Sequence, residues 1–383
     1  MRILYFTRDY TPHDYRFLSS LAKSGHEIYS LRLERKSNVL EDRSLPYEVH
    51  QVHWRGGKGP AAWRDFPALW LDLKRVLRTI QPDVLHAGPV PTVAFLAAMS
   101  GFHPLVSMSW GSDLLRDIDK DRVQYRAAHY ALKKSDVLIG DCRAVQQKAQ
   151  ELGFPAERVV LFPWGVDLDQ FSPGSGDAFR ALRGWQDAFI LLSLRSWEPV
   201  YGVDVVARAF IRAAKQEPNL RLLLLGGGSQ ASLIREIVQR GGMEERVFFG
   251  GQVNYNQLPD YYRSADLYLS ASHSDGSSVS LMEALACGRP VLVSDIPGNR
   301  EWLENSPAGW LFKDGDENGL ADGILNACRN RGKLDEIGQF ARSLAEERAD
   351  WSKNFQKLLD AYQMAVEMYK SSGGNAQSRR LVV

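Results

Sequence analysis

The sequence predicts an α/β protein of two domains, each a doubly wound sheet of parallel strands flanked by helices. One reason is length, because 383 residues exceed the roughly 250–300 at which a single hydrophobic core stops growing. Another is that short apolar runs alternate with amphipathic segments almost throughout, which is typical of βαβ units. A third is the stretch at residues 166–188, whose Gly, Pro and Asp content indicates a linker.

The strands are predicted from the apolar runs, because a parallel strand is buried on both faces. In the first half these runs lie at residues 3–7, 28–33, 84–87, 105–110, 137–140 and 159–162. In the second half they lie at residues 190–194, 220–225, 247–249, 267–270 and 290–294. Helical patterns lie at residues 15–23, 63–78, 125–134, 203–215, 229–239, 278–286 and 351–370.

The alternation predicts two Rossmann-like domains that face each other across a cleft, residues 1–170 and 171–350. We expect the helix at 351–370 to return to the N-terminal domain and the small polar residues of 371–383 to form a disordered tail. Ligands of open parallel sheets bind beyond the carboxyl ends of the strands, so functional residues should directly follow strands.

The composition is that of an ordinary globular protein, with 44% hydrophobic and 24% charged residues. A net charge of +1 gives no support for nucleic acid as a partner. The cysteines, Cys142, Cys287 and Cys328, are far apart and form no Cys-x-x-Cys, which favours a reducing compartment. The N-terminal apolar run is too short for a signal peptide, and no run approaches the roughly 20 apolar residues that span a bilayer. A cytoplasmic protein is therefore expected.

The segment after the apolar run at 267–270 carries the most chemistry. Turn residues there lead into a helix, and the end of that helix offers free backbone N–H groups to an anion. The residues of this turn are Gly276, Ser277, Ser278 and Val279. Glu283 lies about one and a half turns into that helix, where its carboxylate can accept both hydroxyls of a ribose. Asp275, at the mouth of the loop, can reach a sugar hydroxyl. A capped core helix with Glu283 on its solvated face explains the same pattern about equally well.

A basic residue follows the first predicted strand of the second half. Arg195 comes directly after the run at 190–194, and the fork of a guanidinium group suits phosphate oxygens. The alternative for Arg195 is a surface ion pair with Glu198.

The run from Asp275 to Val291 resembles the signature of retaining, nucleotide-sugar-dependent glycosyltransferases of family four, which have the GT-B fold. Their pattern is Glu, seven residues, Glu, then Ala-x-Ala-x-Gly-x-Pro-Val. Residues 283–291 match it closely, and the first acid is Asp275 with the spacing intact. The resemblance implies that Glu283 binds the donor ribose, that Asp275 lies at the transferred sugar, and that the turn before the helix binds the donor.

The resemblance extends to other parts of the C-terminal half. The family has an Arg and a Lys that clamp the diphosphate. Arg195 matches the Arg, whereas Tyr201 stands at the Lys position and supplies a hydrogen bond without a charge. The segment that ends at Val253 resembles the loop that holds the base. Residues 171–350 are therefore expected to be the nucleotide-sugar-binding domain, and residues 1–170 the acceptor-side domain.

The N-terminal half resembles the family only weakly. Ser109 to Asp113 is similar to the family's His-Gly-x-Asp, with Trp110 at the His position, which makes Asp113 a candidate for the sugar or acceptor side. The family's double-Gly loop after the first strand is absent. His13, in the segment that replaces it, is a candidate for contact with phosphate or acceptor, and a structural or solvated histidine is the alternative.

One helical pattern, at residues 63–78, has an apolar face with basic residues beside it. Such a helix can lie on a membrane surface, so peripheral contact with the inner face of a membrane is one expectation. Packing against the core is the favoured alternative, since every helix of this fold needs one apolar face.

Taken with the resemblance, these residues predict a hexosyltransferase that moves a sugar from a UDP- or GDP-linked donor to an acceptor hydroxyl with retention. The acceptor is expected to be a glycan, a lipid or a small molecule. No Asp-x-Asp pair directly follows a strand, so activity is expected without a metal. Two alternatives are a catalytically inactive nucleotide-sugar-binding subunit, because Tyr201, Trp110 and Asp275 depart from the family, and a nucleotide-sugar epimerase of the same fold.

Overall fold

The computed structural model of the protein describes residues 1–35 and 41–373. The chain forms two compact units, the first containing Met1–Phe162 and the described residues from Phe355 onward, and the second containing Pro163–Asn354. The tail expected to be disordered lies outside the described residues from position 374.

Within the described part of the first unit, a seven-stranded sheet has the order β3-β2-β1-β4-β5-β6-β7, and all neighbouring strands run parallel. Its strands are β1 (Arg2–Thr7), β2 (Glu27–Arg32), β3 (Val49–Gln51), β4 (Val84–Gly88), β5 (Leu105–Met108), β6 (Val137–Gly140) and β7 (Val159–Leu161). The order reverses between β1 and β4, which is where ligands bind in open parallel sheets.

The helices of the first unit are α1 (Pro12–Ala22), α2 (Phe66–Ile80), α3 (Phe95–Met99), α4 (Ile118–Lys120), α5 (Arg122–Lys134) and α6 (Arg143–Glu151). Two π-helical turns, Val90–Ala94 and Asp113–Asp117, follow β4 and β5. Single π turns occur often at functional sites, and these two lie at the carboxyl edge of the sheet.

The second unit contains a parallel sheet of six strands among its described residues, in the order β10-β9-β8-β11-β12-β13. Its strands are β8 (Phe189–Ser193), β9 (Leu220–Leu225), β10 (Val247–Gly251), β11 (Leu267–Ser270), β12 (Val291–Ser294) and β13 (Gly309–Phe312). The order reverses between β8 and β11.

The helices that follow in the chain are α7 (Asp177–Arg183), α8 (Val203–Ala214), α9 (Ala231–Arg240), α10 (Leu258–Ser264), α11 (Val279–Ala286), α12 (Pro297–Leu303), α13 (Glu317–Arg329), α14 (Leu334–Arg348) and α15 (Trp351–Ser371). From Phe355 onward, α15 belongs to the first unit. There Tyr362 is fully buried, and its hydroxyl lies 2.8 Å from Nδ1 of the buried His86 on β4.

The predicted fold class, two doubly wound parallel sheets, is confirmed, and every predicted strand is present. Two further strands, β3 and β13, were not predicted, and both are short and incompletely buried. In β3 only Val49 is buried, and β13 has partly exposed residues at its first three positions. Both are edge strands, where the sheet has a neighbour on one side only.

Helix α2 directs its apolar stripe into the core of the first unit. Its buried residues are Phe66, Leu69, Leu73, Val76, Leu77 and Ile80. Burial in the core therefore accounts for the apolar face that suggested a membrane-surface helix. No helix within residues 1–35 and 41–373 is both long and apolar enough to cross a bilayer.

Helix α1 begins with a reciprocal cap. The Thr11 side chain accepts from the backbone N–H of Asp14, and the Asp14 carboxylate accepts from the backbone N–H of Thr11. Tyr5 of β1 also donates to Asp14, at 3.0 Å. His13 therefore lies in the first turn of α1, so the expectation that it lies in a loop after β1 is wrong at this position.

Candidate active site

The candidate site in the second unit lies where β8 and β11 end side by side. These strands are parallel neighbours at the point where the strand order reverses. Arg195 follows β8 by two residues, while Asp275 lies in the loop between β11 and α11. The sheet therefore brings the predicted basic and acidic residues to one edge, as the position of ligands in such folds requires.

Arg195 is the centre of this site. Its Nη2 donates to Asp275 Oδ2 at 2.6 Å, and its Nη1 donates to Ser278 Oγ at 2.8 Å and to Ser280 Oγ at 3.1 Å. The guanidinium group also lies 4.3 Å from the ring centre of Tyr201, within the range of a cation–π contact. The alternative of a surface ion pair with Glu198 is wrong, because Glu198 accepts instead from Ser229.

One donor of Arg195 is not used. Its Nε is buried and has no hydrogen-bond partner among the described residues. A buried donor without a partner costs about 1–3 kcal/mol. The Arg195 side chain is 13% exposed, so a small ligand can reach this region of the second unit.

Tyr201 lies beside Arg195 because the chain before α8 runs close to the β11 loop. A Cβ atom at Gly202 would lie 2.2 Å from the carbonyl oxygen of Ala271, so only glycine fits there. The backbone N–H of His273 donates to the carbonyl of Val200 at 2.8 Å. These contacts hold the Tyr201 ring against the guanidinium group, so Tyr201 supports Arg195 and supplies no charge of its own.

The side chains of Arg195 and Asp275 are only 13% and 20% exposed, and this removal from water changes the proton affinity of both groups. Burial raises the pKa of Asp275, and the positive charge of Arg195 opposes that rise. Burial lowers the pKa of Arg195, but the charges around it, first that of Asp275, raise it overall. Arg195 therefore stays charged at every physiological pH.

Glu283 lies on α11 and is 4% exposed. Its Oε2 lies 2.8 Å from the hydroxyl of Tyr262, which donates to it. The idea that Glu283 lies on a solvated helix face is therefore wrong. Burial, then the charge of Glu283, keeps the pKa of Tyr262 well above its ordinary value, so the tyrosine remains a donor.

The turn between Asp275 and α11 is packed tightly against α12. A Cβ atom at Gly298 would lie 2.3 Å from the carbonyl oxygen of Gly276, and Trp302 Nε1 donates to Ser277 Oγ at 3.3 Å. Gly276, Ser277 and Ser278 are buried, and Val279 begins the helix. The first backbone N–H groups of α11 are thus held beside Arg195, in the arrangement that anions favour at a helix N-terminus.

Three residues of this site were missed in the sequence. Ser280 links Arg195 to Tyr268, whose hydroxyl lies 2.7 Å from Ser280 Oγ. Tyr262 comes from α10 and Tyr268 from β11, so both reach the site through tertiary packing. Ser280 could have been found from the sequence, because it lies in the helix that the motif identifies, two residues after Ser278.

Val253, the candidate for contact with the base, lies half-buried two residues beyond β10. The strand before it ends in a turn fixed by Gly251, which has a positive φ of 64° and accepts from the backbone N–H of Gly226 at 2.6 Å. The ends of β9 and β10 are thereby joined at the same edge of the sheet as Arg195. Contact between Val253 and a base stays a prediction.

The candidate residues of the first unit lie at the carboxyl ends of β1, β4 and β5. Asp113 is 5% exposed and accepts from Ser109 Oγ at 2.7 Å, from the backbone N–H of Trp110 at 2.9 Å and from that of Val90 at 2.8 Å. Burial raises the pKa of Asp113 to about 6, against the effect of these hydrogen bonds. The carboxylate thus ties the loop after β4 to the loop after β5.

His13 is half-buried, and its ring centre lies 5.6 Å from that of Trp110. Arg8, which follows β1, donates from Nε to Glu34 at 2.7 Å. These two residues and Asp113 belong to the first unit, whereas Arg195, Asp275 and Glu283 belong to the second.

The role of Asp113 as a brace between the two loops predicts a pH-dependent stability effect. Removing the carboxylate in Asp113→Ala leaves two buried backbone N–H groups without an acceptor, which should cost about 2–4 kcal/mol. The raised folded-state pKa means that the folded protein holds the proton more tightly than the unfolded chain, whose Asp has a pKa of about 3.9. The stability that Asp113 contributes is therefore largest near pH 4 and falls as pH rises through about 6.

Denaturant unfolding of the first unit at pH 4.5 and pH 7 checks this prediction. We expect Asp113→Ala to lose more stability at pH 4.5 than at pH 7. Asp119→Ala is the control, because Asp119 is about half exposed and its ion pair with Lys148 has the low value of surface pairs. Equal losses for Asp113→Ala at both pH values would contradict the assignment.

Comparison with known proteins identifies relatives of both halves of the chain. The family model described as "Glycosyl transferases group 1" matches residues 177–344, and the model described as "Glycosyl transferase 4-like" matches residues 2–141. The D-inositol 3-phosphate glycosyltransferase of Mycolicibacterium smegmatis is 31% identical over 229 residues, which cover 58% of this chain and 50% of that protein. The chain matches only about half the length of such curated relatives.

Solved structures share the fold over nearly the whole chain. HepE of Anabaena in complex with UDP has a TM-score of 0.79 at 20% identity and covers 95% of this chain and 100% of its own. Sucrose-phosphate synthase of Thermosynechococcus elongatus has a TM-score of 0.76 at 18% identity, and the match covers 95% of this chain and 98% of that protein.

The fold is therefore that of the GT-B class of glycosyltransferases. One family model matches residues of the first unit, and the other matches residues of the second. The chain belongs to the glycosyltransferase family that these two models describe. The group 1 model matches its C-terminal half, and the 4-like model matches its N-terminal half.

Proposed function

We propose that the protein transfers a hexosyl group from a nucleotide-diphosphate sugar to an acceptor hydroxyl, with retention at the anomeric carbon and without a metal ion. The acceptor is a glycan, a lipid or a small molecule. The donor is linked to UDP or GDP, and UDP is favoured because HepE was crystallised with it. The wide spacing of the three cysteines, which form no Cys-x-x-Cys, suits the reducing cytoplasm as the place of this reaction.

The observation that carries the proposal is the buried guanidinium group of Arg195 beside the N-terminus of α11. Its Nε has no partner among the described residues, and a phosphate oxygen of the donor would supply one. The first N–H groups of α11 offer further donors to the same diphosphate. A charged fork next to a helix end can bind both phosphates of a nucleotide diphosphate.

Glu283 is proposed to bind the ribose. It is buried on the helix that binds the diphosphate, and its carboxylate accepts from the Tyr262 hydroxyl at 2.8 Å. The two hydroxyls of a ribose match a carboxylate as a pair of donors. Tyr262 fixes the orientation of that carboxylate before the donor arrives.

Asp275 and Arg195 are proposed to act at the reacting end of the donor. The bond between the anomeric carbon and the diphosphate oxygen breaks, and the diphosphate leaves with the electron pair. The acceptor oxygen forms the new bond on the same face, and its proton passes to the departing diphosphate. Arg195 stabilises the negative charge that grows on the diphosphate, and Asp275 orients Arg195 and faces the sugar.

The first experiment incubates the purified full chain with a set of nucleotide-diphosphate sugars and with extracts that contain acceptors, and follows nucleotide release and product mass by mass spectrometry. The proposal expects nucleoside diphosphate together with an acceptor that has gained one hexose. Consumption of no donor would contradict it.

A second candidate, a nucleotide-sugar-binding subunit without turnover, is favoured by one observation. Tyr201 supplies no charge where the family signature has Lys, so Arg195 carries the phosphate charge without the family's second cation. Tight binding of the donor in a calorimetric titration, with no transfer in the first experiment, identifies this function. Isomerisation of the donor sugar without an acceptor identifies an epimerase.

Independence of metal ions gives a direct prediction. Within residues 1–35 and 41–373, no group of three His, Cys, Asp or Glu side chains is arranged to hold a metal ion. The Asp-x-Asp pair at 117 and 119 is engaged by ion pairs, Asp117 with Arg116 and Asp119 with Lys148. We expect turnover to be unchanged by EDTA, measured as nucleotide release. A loss that magnesium or manganese restores would contradict metal independence.

Two expectations, one about membrane contact and one about His13, stay predictions. Peripheral contact with a membrane is one of them, and the apolar stripe of α2 is not available for it because the core of the first unit contains it. A role for His13 at the acceptor or the phosphates is the other, and the position of His13 beside Trp110 at the carboxyl edge of the sheet supports it.

A further inference from the structure

The first unit contains a cavity away from the residues discussed above. It lies at the β3 edge of the sheet, between the ends of β2 and β3 and the outer side of α2, and it has a volume of about 820 Å³. Cavities that bind small molecules have volumes of roughly 300–1,000 Å³. The space therefore suits a ligand of the size of one or two sugar residues.

The walls of this cavity are strongly basic. The Lys and Arg residues that line it are Arg32, Arg35, Arg55, Lys58 and Arg75. Asp72 is the one carboxylate among the described lining residues, and its Oδ2 already accepts from the backbone N–H of Arg55 at 2.7 Å. The cavity thus gathers a large excess of positive charge in a protein whose overall net charge is only +1.

Most of these cations are not neutralised by the protein. Arg32 lies 3.6 Å from Asp9. Arg35, Arg55, Lys58 and Arg75 form no ion pair with a carboxylate of the described residues. Four positive charges around one space repel each other, and an anion placed among them would remove that repulsion.

The loop that carries two of these cations has a fixed shape. Trp54 is buried and donates from Nε1 to the carbonyl of Arg32 at 2.7 Å. A Cβ atom at Gly56 would lie 2.5 Å from the Trp54 ring, and Gly57 has a positive φ of 73°. The N–H of Gly57 also donates to the carbonyl of Leu33. Arg55 and Lys58 are therefore presented from a loop that needs little ordering when a ligand binds.

We propose that this cavity is a second binding site, for a saccharide that carries at least two negative charges. Phosphate and carboxylate groups share the chemistry that these cations recognise, so a phosphorylated sugar and a segment of an acidic glycan are the two sources of such a ligand. The cavity volume admits a mono- or disaccharide. The binding energy comes from charge-assisted hydrogen bonds to Arg55, Lys58 and Arg75.

Calorimetric titration of the full chain tests the proposal with two probes, a hexose bisphosphate and a galacturonic acid dimer. The test variant is Arg55→Gln/Arg75→Gln. The matched control is Arg122→Gln/Arg126→Gln, which removes the same charge from exposed positions on α5 of the same unit. All four positions are exposed, so both variants should melt at the temperature of the native chain, which circular dichroism checks.

We expect one probe or both to bind, and the probe that binds identifies the source. The cavity variant should weaken binding by about tenfold or more, because it loses two charge-assisted hydrogen bonds at a solvent-accessible site. The control variant should bind as the native chain does, and binding should weaken as salt is added. Absence of binding by both probes, or equal weakening in both variants, would overturn the proposal.

Two further titrations separate this site from the donor site. Arg195→Ala should leave binding of the hexose bisphosphate unchanged, and Arg55→Gln/Arg75→Gln should leave binding of UDP unchanged. If the native chain binds neither UDP nor GDP, the proposed function fails, and the titrations with the two saccharide probes still decide on the cavity. If Arg195→Ala abolishes bisphosphate binding, the cavity proposal fails.

Discussion

Replacement of Arg195 by Ala is expected to lower turnover by about 10²–10³-fold, the usual cost of removing one preorganised donor from a site where charge develops. The reason is the arrangement around the guanidinium group. It is the cation that follows β8, and its Nε is buried with no partner among the described residues. Because Tyr201 supplies no charge at the neighbouring position, the loss should not be compensated there. Steady-state measurement of nucleotide release gives the result.

Two further variants make the Arg195 experiment specific. Arg195→Lys keeps the charge but loses the fork and the contact with Ser278 and Ser280, so we expect little recovery of activity. Arg235→Ala is the matched control. Its guanidinium group also lies over an aromatic ring of the second unit, 4.3 Å from the centre of Phe249, but outside the site. Turnover of Arg195→Ala near that of Arg235→Ala would mean that the phosphate site lies elsewhere.

Replacement of Glu283 by Gln is expected to weaken donor binding by about 10–100-fold, the value of a hydrogen bond to a charged acceptor. The amide of Gln keeps an oxygen that can accept from Tyr262. It replaces the second carboxylate oxygen, an acceptor for a ribose hydroxyl, by an NH₂ group, which only donates. The fold should be retained, because Gln has nearly the same shape. Calorimetry with UDP measures the affinity.

A ribose analogue completes the Glu283 experiment. If the carboxylate binds the ribose hydroxyls, UDP and 2′-deoxy-UDP should differ in affinity for the native chain and differ much less for Glu283→Gln, as coupled groups do in a double-mutant cycle. Glu317→Gln is the control, since Glu317 pairs with Arg208 away from the site. Independent effects of the substitution and of the missing hydroxyl would rule out the ribose role.

The central part of each sheet could be predicted from the sequence because a strand buried on both faces is a continuous apolar run. β9 is an example, with five of its six residues buried. The edge strand β3 lacks that signal because two of its three residues are polar and exposed. The edge strand β13 is apolar but only four residues long, and three of them are partly exposed. Some of the helices that pack on these sheets were predicted because they have one apolar face, as α2 does. Others, such as α13 and α14, were not predicted.

The site could be predicted only as far as its residues lie in one continuous segment. Asp275, the turn after it and Glu283 follow each other along the chain, and a spacing pattern identifies them. The partners of these residues could not be found in that way. Tyr262 and Glu283 are 21 positions apart in the sequence, and Arg195 and Asp275 are 80 positions apart. Only the folded sheet brings the members of each pair together.

Asp113 shows a second limit of the sequence. A carboxylate directly after a strand predicts a ligand contact, but whether its oxygens are available depends on the neighbouring loops. In the folded protein three donors from the ends of β4 and β5 already surround it. Hydrogen-bond satisfaction of this kind has no signature in the spacing of residues.

The most direct test of the central claim is calorimetric titration of the full native chain with UDP and with uridine. The claim is that Arg195 and the N-terminus of α11 form a site for the diphosphate of a nucleotide sugar. It predicts that UDP binds at least about tenfold more tightly than uridine, because the phosphates gain charge-assisted hydrogen bonds that the nucleoside cannot make. Equal affinities for UDP and uridine, or binding of neither UDP nor GDP, would contradict the claim.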